Sequence, residues 1–164
     1  YPCALEVYDS YTRDQLFAAL GFAKPASIRE GVKYLDHTNS DTVTRPTDVF
    51  LVTLNKSQKE FSDSTLYEDY SIDRHLFHWQ SQSTTTPESK TGQRYLSQRE
   101  TGGIVLFFVR SPKQDACRNA MAYTFLGTAK IVSHEGSQPI SIIYRLDHPI
   151  PAKYITKTDS SGVL

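Results

Sequence analysis

Residues 48–54 read DVFLVTL, and residues 103–109 read GIVLFFV. Each run is short, rich in β-branched and aromatic residues, and apolar at consecutive positions. A strand with one wet face alternates instead, so these two runs predict strands covered on both sides. Around them the chain offers weaker strands. GVKYLD (31–36) is one; AYTFLG (122–127) and TAKIVSHEG (128–136) form two more, with Gly127 as a bend or bulge between them. ISIIYRL (140–146) alternates, with Ile140, Ile142, Tyr144 and Leu146 on one side and Ser141, Ile143 and Arg145 on the other. His134 to Pro139 supply a hairpin connection. The segment DHTNSDTVTRPT (36–47) carries turn chemistry throughout.

One helix is predicted near the start. In SYTRDQLFAALGF (10–22) Thr12 stands as N-cap with Gln15 three positions later, a capping-box pattern. Leu16, Phe17 and Leu20 share a stripe, and Gly21 occupies the place of a left-handed C-terminal cap. Such a helix, of about nine residues, is marginal alone and must dock through its stripe. The expectation is a single α+β domain over residues 1–164: a helical segment to about 30, a β-rich body to about 156, and a polar tail over 157–164. Many short strands and few helices indicate a closed or strongly curved mixed β-sheet with flanking short helices.

The chain has 164 residues with 22% charged, which suits a globular domain with a sizeable core. It lacks an apolar run near the roughly 20 residues of a membrane span, so no membrane partner is expected. It begins at Tyr1 without Met or a signal-like segment, which reads as a cytoplasmic piece of a longer protein. Cys3 and Cys117 are the only cysteines and have no ligand-like spacing, pointing to inert thiols in a reducing compartment. Net charge is zero but segregated: Glu60, Asp63, Glu68, Asp69 and Asp73 form an acidic segment, and Lys90 to Arg118 a basic one.

Signatures of catalysis are missing from the sequence. Gly102 and Gly103 precede a strand rather than a helix, unlike a phosphate-cradling loop. His75 and His78 are three apart, which on a strand separates them onto opposite faces. There is no Gly-x-Ser-x-Gly elbow, and neither cysteine has a neighbouring histidine. The expectation is a binding module, not an enzyme, with no cofactor and no metal.

The segment LFHWQSQSTTTPESKTGQRYL (76–96) holds the only tryptophan. As a strand, it sends His75, Phe77, Trp79 and Ser81 one way and His78, Gln80 and Gln82 the other. Trp79 is then either a core indole or a stacking platform for a nucleobase. Gln80 and Gln82, with His78, carry the donors and acceptors that base edges demand, or are solvated edge amides. In STLYEDYS (64–71), Tyr67 and Tyr70 flank Asp69. Two rings and a carboxylate suit an extruded cytosine, the rings replacing lost stacking and the carboxylate accepting from the amine. They equally suit a turn whose tyrosines pack and whose acids face water. Lys56, Lys90 and Arg94 are candidate phosphate contacts.

The stretches YTRDQLFAALG, TDVFLVTLNKS, LFHWQSQSTT, TGQRYL and YTFLGTAKIVSHEGSQPISIIYRL resemble a domain long catalogued as of unknown function. That domain ends large bacterial proteins in which a phospholipase-D-type nuclease and a superfamily-2 helicase precede it; some are modification-dependent (type IV) restriction enzymes. The later strands are also similar to SRA, YTH, EVE and ASCH domains, so the resemblance implies a PUA-like β-barrel as the alternative to the curved sheet. It further implies a reader of 5-methylcytosine or 5-hydroxymethylcytosine in double-stranded DNA, by base flipping. Its partners would be the helicase and nuclease domains of the same parent chain. Two other readings stay open: a modification-independent nucleic-acid grip, and a coupling module between helicase and nuclease.

Overall fold

A computed structural model describes residues 5–22, 31–41, 43, 45–54, 69–110 and 122–155. Its strands follow one hydrogen-bonded order, β2 (Val32–Leu35), β3 (Thr47–Thr53), β6 (Ile104–Arg110), β7 (Tyr123–Glu135), β8 (Ser141–Leu146), β5 (Leu76–Gln80) and β4 (Tyr70–Ser71), with β1 (Ser10–Tyr11) on β7. The order is mixed, because β3 and β6 run parallel while the neighbouring pairs β2–β3 and β7–β8 run antiparallel. It ends at β2 and β4 without closing among the described residues, so the α+β class holds and the open sheet, not the barrel, is the observed form. Contacts gather in two compact units within the span expected to be one domain: residues 1–55 with 102–128, and 56–101 with 129–164.

The first unit is built on the two runs that open the sequence analysis. β3 (Thr47–Thr53) and β6 (Ile104–Arg110) each show six consecutive buried residues. Phe50 and Phe107, opposite in register, meet edge-on at 5.2 Å on one face. Val49, Leu51, Leu106 and Phe108 enter the core cluster on the other. β2 (Val32–Leu35) flanks β3. β1 (Ser10–Tyr11) pairs with β7 (Tyr123–Glu135).

α1 (Arg13–Ala19) forms as its caps dictate. Thr12 and Gln15 make the reciprocal capping box, and Gly21 at φ 75° lets Gly21 and Phe22 donate back to Ala18 and Phe17. Phe22 then rests on Phe17 at 5.9 Å. Leu16, Phe17 and Leu20 are fully buried. At roughly 1.5–3 kcal/mol each, their burial supplies what a helix of this length cannot generate alone.

Before it, Glu6 to Asp9 make a turn closed by the Asp9 N–H on the Glu6 carbonyl. Tyr8 sits there at φ 78°, and its N–H and the Asp9 carbonyl both engage Phe125. Two residues thus oppose one, a bulge whose left-handed position ordinarily takes glycine.

One expectation changes, and two helices are added. AYTFLG and TAKIVSHEG are one thirteen-residue strand, with Gly127 at φ 95° inside it and a register shift further on, between Ile131 and Ser133. The long pairing with neighbours overrides the break that the glycine invites. The polar stretch after Trp79, for which no helix is predicted from the sequence, contains α2 (Lys90–Leu96) and α3 (Gln98–Thr101). Gly92 lowers helix propensity and hid α2, yet its position is a packing requirement. A Cβ there would stand 1.9 Å from the Thr86 carbonyl oxygen. No helix among the described residues is long and apolar enough to cross a membrane.

Candidate functional site

The second unit carries the aromatic–amide segment on β5 (Leu76–Gln80), between β4 (Tyr70–Ser71) and β8 (Ser141–Leu146). The pleat sorts their side chains into two faces. On the inner face lie Phe77, Trp79, Ile142, Tyr144 and Leu146, all buried. Trp79 meets Tyr95 of α2 at 5.3 Å and Tyr144 at 6.1 Å, both edge-on. With 4% of its surface exposed, it is the core indole of the two alternatives. The stacking role is withdrawn for it, because the apolar ring gains more from burial than from display.

The outer face is read off the strand register. One row across the strands holds Leu76, Arg145 and Lys130; the next holds Tyr70, His78, Ile143 and Ser133; the third holds Gln80, Ser141 and Glu135. In the middle row Tyr70 and His78 stack with ring centroids 4.7 Å apart and 17° between planes. Tyr70 remains 37% exposed. His78, Gln80 and Ile143 are half-buried. In the third row Gln80 Nε2 donates to Ser141 Oγ at 3.1 Å. Asp69 Oδ1 accepts the Gln80 backbone N–H at 2.8 Å and so prolongs the β4–β5 pairing past its end. Where β5 begins, Asp73 accepts the backbone N–H groups of His75 and Leu76. Those bonds, the one from His75 foremost, hold its carboxyl below the usual range.

The remaining candidates go elsewhere. Gln82 Oε1 accepts from Thr85 Oγ1 and from Tyr95 OH, which ties its amide to the α2 side. Arg94 lies over the Tyr95 ring at 5.2 Å, and Lys90 stands exposed in the first turn of the same helix. Since Tyr95 packs on Trp79, α2 covers the inner face; Lys90, Arg94 and Gln82 therefore belong to a different layer from Tyr70 and His78. α3 is fixed by Gln98, whose buried amide donates to the Ala129 carbonyl and accepts the Ile131 N–H. Tyr67 and Lys56 lie outside the described residues, as do Cys3, Cys117 and the tail.

The structure thus gathers Tyr70, His78 and Gln80 on one face, with Asp69 at the end of β4 bound to the Gln80 backbone, and separates Trp79, Gln82, Lys90 and Arg94 from them. Sequence reasoning missed Ile143 and Arg145, which share that face. The alternation of ISIIYRL had already placed them together, opposite the core side chains. Among the described residues no group of three His, Cys, Asp or Glu side chains is arranged to hold a metal.

The sequence pattern of DUF3427, described as a domain of unknown function, matches residues 5–157. The chain belongs to the DUF3427 family. No curated protein matches it. Among solved structures, this DUF3427 domain is similar to Arabidopsis thaliana SUVH6 in complex with SAM, at 11% identity and a TM-score of 0.53, over 95% of this chain and 29% of that one. It is also similar to the DNA modification-dependent restriction endonuclease AspBHI, at 13% identity and a TM-score of 0.52, over 90% of this chain and 44% of that one. At such identities the likeness is one of fold, and the DUF3427 chain spans less than half of either protein.

Proposed function

We propose that this domain is a non-catalytic reader of modified cytosine in duplex DNA, acting through the outer face of β4, β5 and β8. The observation that carries the reading is the Tyr70–His78 stack. It presents an aromatic surface, backed by a second ring, on a rigid sheet rather than on a loop. A base lifted from the helix would rest on Tyr70 and recover part of the stacking it loses, against an extrusion cost of a few kcal/mol. Ile143, beyond His78 in the same row, adds an apolar boundary to this face. Gln80, oriented by Ser141, offers an amide to the base edge.

The shared fold with a modification-dependent restriction endonuclease supports this choice of ligand. In the parent chain the module would direct a helicase and nuclease, as the sequence resemblance implies; the domain itself supplies no bond-breaking group in this reading. Binding of matched duplexes with cytosine, 5-methylcytosine and 5-hydroxymethylcytosine at fixed salt tests it. One methyl group should be worth about 1–3 kcal/mol, a preference of roughly 10- to 150-fold. Tyr70→Ala should remove that preference while the protein stays folded. Equal affinity for all three duplexes refutes the proposal and favours a modification-independent grip.

A further inference from the structure

We infer that Arg145, with Lys130 beside it, is the phosphodiester contact of this face. The inference rests on the reading of the face as a nucleic-acid surface. Arg145 is exposed on β8, directly opposite Leu76 on one side and Lys130 on the other. It lies two residues along the strand from Ile143, and so on the same side of the sheet as Tyr70 and His78. One row along the strand (about 6.8 Å) and two strand spacings (about 9.6 Å) put its Cα about 12 Å from that of Tyr70 across the same face, a span that a long arginine side chain and the backbone flanking a base held on Tyr70 can bridge.

The charges around it leave that role open. Asp73 is near enough for Arg145 to lower its pKa slightly, but its Oδ1 is already engaged by two backbone N–H groups. Asp147 pairs with Lys130 at 3.6 Å, with both side chains well exposed. An exposed pair of this kind exchanges readily for a stronger anion. A guanidinium grips a phosphate through two parallel N–H donors, which a lysine cannot reproduce. By contrast Lys90 and Arg94, the phosphate contacts expected from the sequence, sit on the helix that covers the inner face.

The test is a salt titration of binding to methylated and unmodified duplexes, comparing wild type, Arg145→Gln and Lys90→Gln. Loss of one phosphate contact flattens the slope of log K against log salt by about 0.9. The wild-type advantage over Arg145→Gln should therefore shrink about 3.5-fold between roughly 50 and 200 mM salt. Both duplexes should lose affinity by the same factor, leaving the methyl preference intact, and Lys90→Gln should match wild type. Arg145 being exposed, the variant should keep the wild-type circular dichroism spectrum. An unchanged slope in Arg145→Gln overturns the inference even when the methyl preference is present. A flattened slope without any methyl preference supports the phosphate contact and refutes the reader. Wild type that binds neither duplex overturns both.

Discussion

Replacing Gly92 by alanine tests how α2 is seated on the unit that carries the site. The new Cβ would stand 1.9 Å from the Thr86 carbonyl oxygen, 2.9 Å from the carbonyl carbon and 3.2 Å from Pro87 Cα. All three are backbone atoms, so no side chain can swing aside. Restoring an ordinary contact of roughly 3.5 Å requires a shift of about 1.5 Å in the helix or in the turn before it. Overpacking of a well-filled site costs about 1–3 kcal/mol, and a clash against backbone belongs at the upper end. Alanine returns about 1 kcal/mol of helix propensity, leaving a net loss of about 2 kcal/mol. For a chain of 164 residues that lowers Tm by about 4–8 °C. Thermal and urea unfolding followed by circular dichroism measures it. Emission from Trp79, the only tryptophan, reports on the same region because its indole touches Tyr95 of α2. Since α2 covers the inner face, the folded variant should bind duplex as wild type does. A midpoint equal to or above wild type would refute the close seating of Gly92 on the Thr86–Pro87 backbone.

Gln98→Ala leaves the Ala129 carbonyl and the Ile131 N–H without the amide that now bonds both; it should cost about 2–4 kcal/mol, with amide exchange at Ile131 accelerating first. Tyr8→Gly should stabilise the protein by about 1 kcal/mol in urea unfolding. Glycine relaxes the φ of 78° at a price in unfolded-state entropy smaller than the strain removed. Asp73 has a folded pKa below its ordinary 3.8, so its contribution is present above that value and is lost as pH falls through the folded one. Urea midpoints for Asp73→Asn and wild type should therefore differ near neutrality and converge as the pH drops below about 4.

The sequence exposed the parts of this fold that obey a local rule. β3 and β6 announced themselves as unbroken apolar runs, β8 and β5 by alternation, and α1 by Thr12, Gln15 and Gly21. α2 stayed hidden because Gly92 answers to a neighbour, Thr86, and not to helix propensity. β7 looked like two strands because Gly127 favours a break that only partner strands can suppress. For the candidate site, period two sorted Trp79 from His78 and Gln80 correctly, yet composition grouped Trp79 with Tyr70 and Arg94 through chemical type alone. Which side of the sheet α2 covers depends on the Trp79–Tyr95 contact, and that is set by tertiary packing. Arg145 was overlooked for the same reason: an arginine in an alternating strand gains meaning only from the register that sets it beside Lys130.

The parallel pairing of β3 with β6 dictates a delay during synthesis. Thr53 and its partner Arg110 are 57 positions apart, so the partner strand does not yet exist when β3 leaves the ribosome. At about 5–20 residues per second the wait is roughly 3–11 s. Closing the connection then costs about 3.6 kcal/mol of chain entropy beyond a constant. Until then the Val49–Val52 segment is paired along one edge only, with β2, and its other hydrogen-bonding edge stays open to other nascent chains. The most apolar strand pair of the first unit is therefore also its most vulnerable moment in translation.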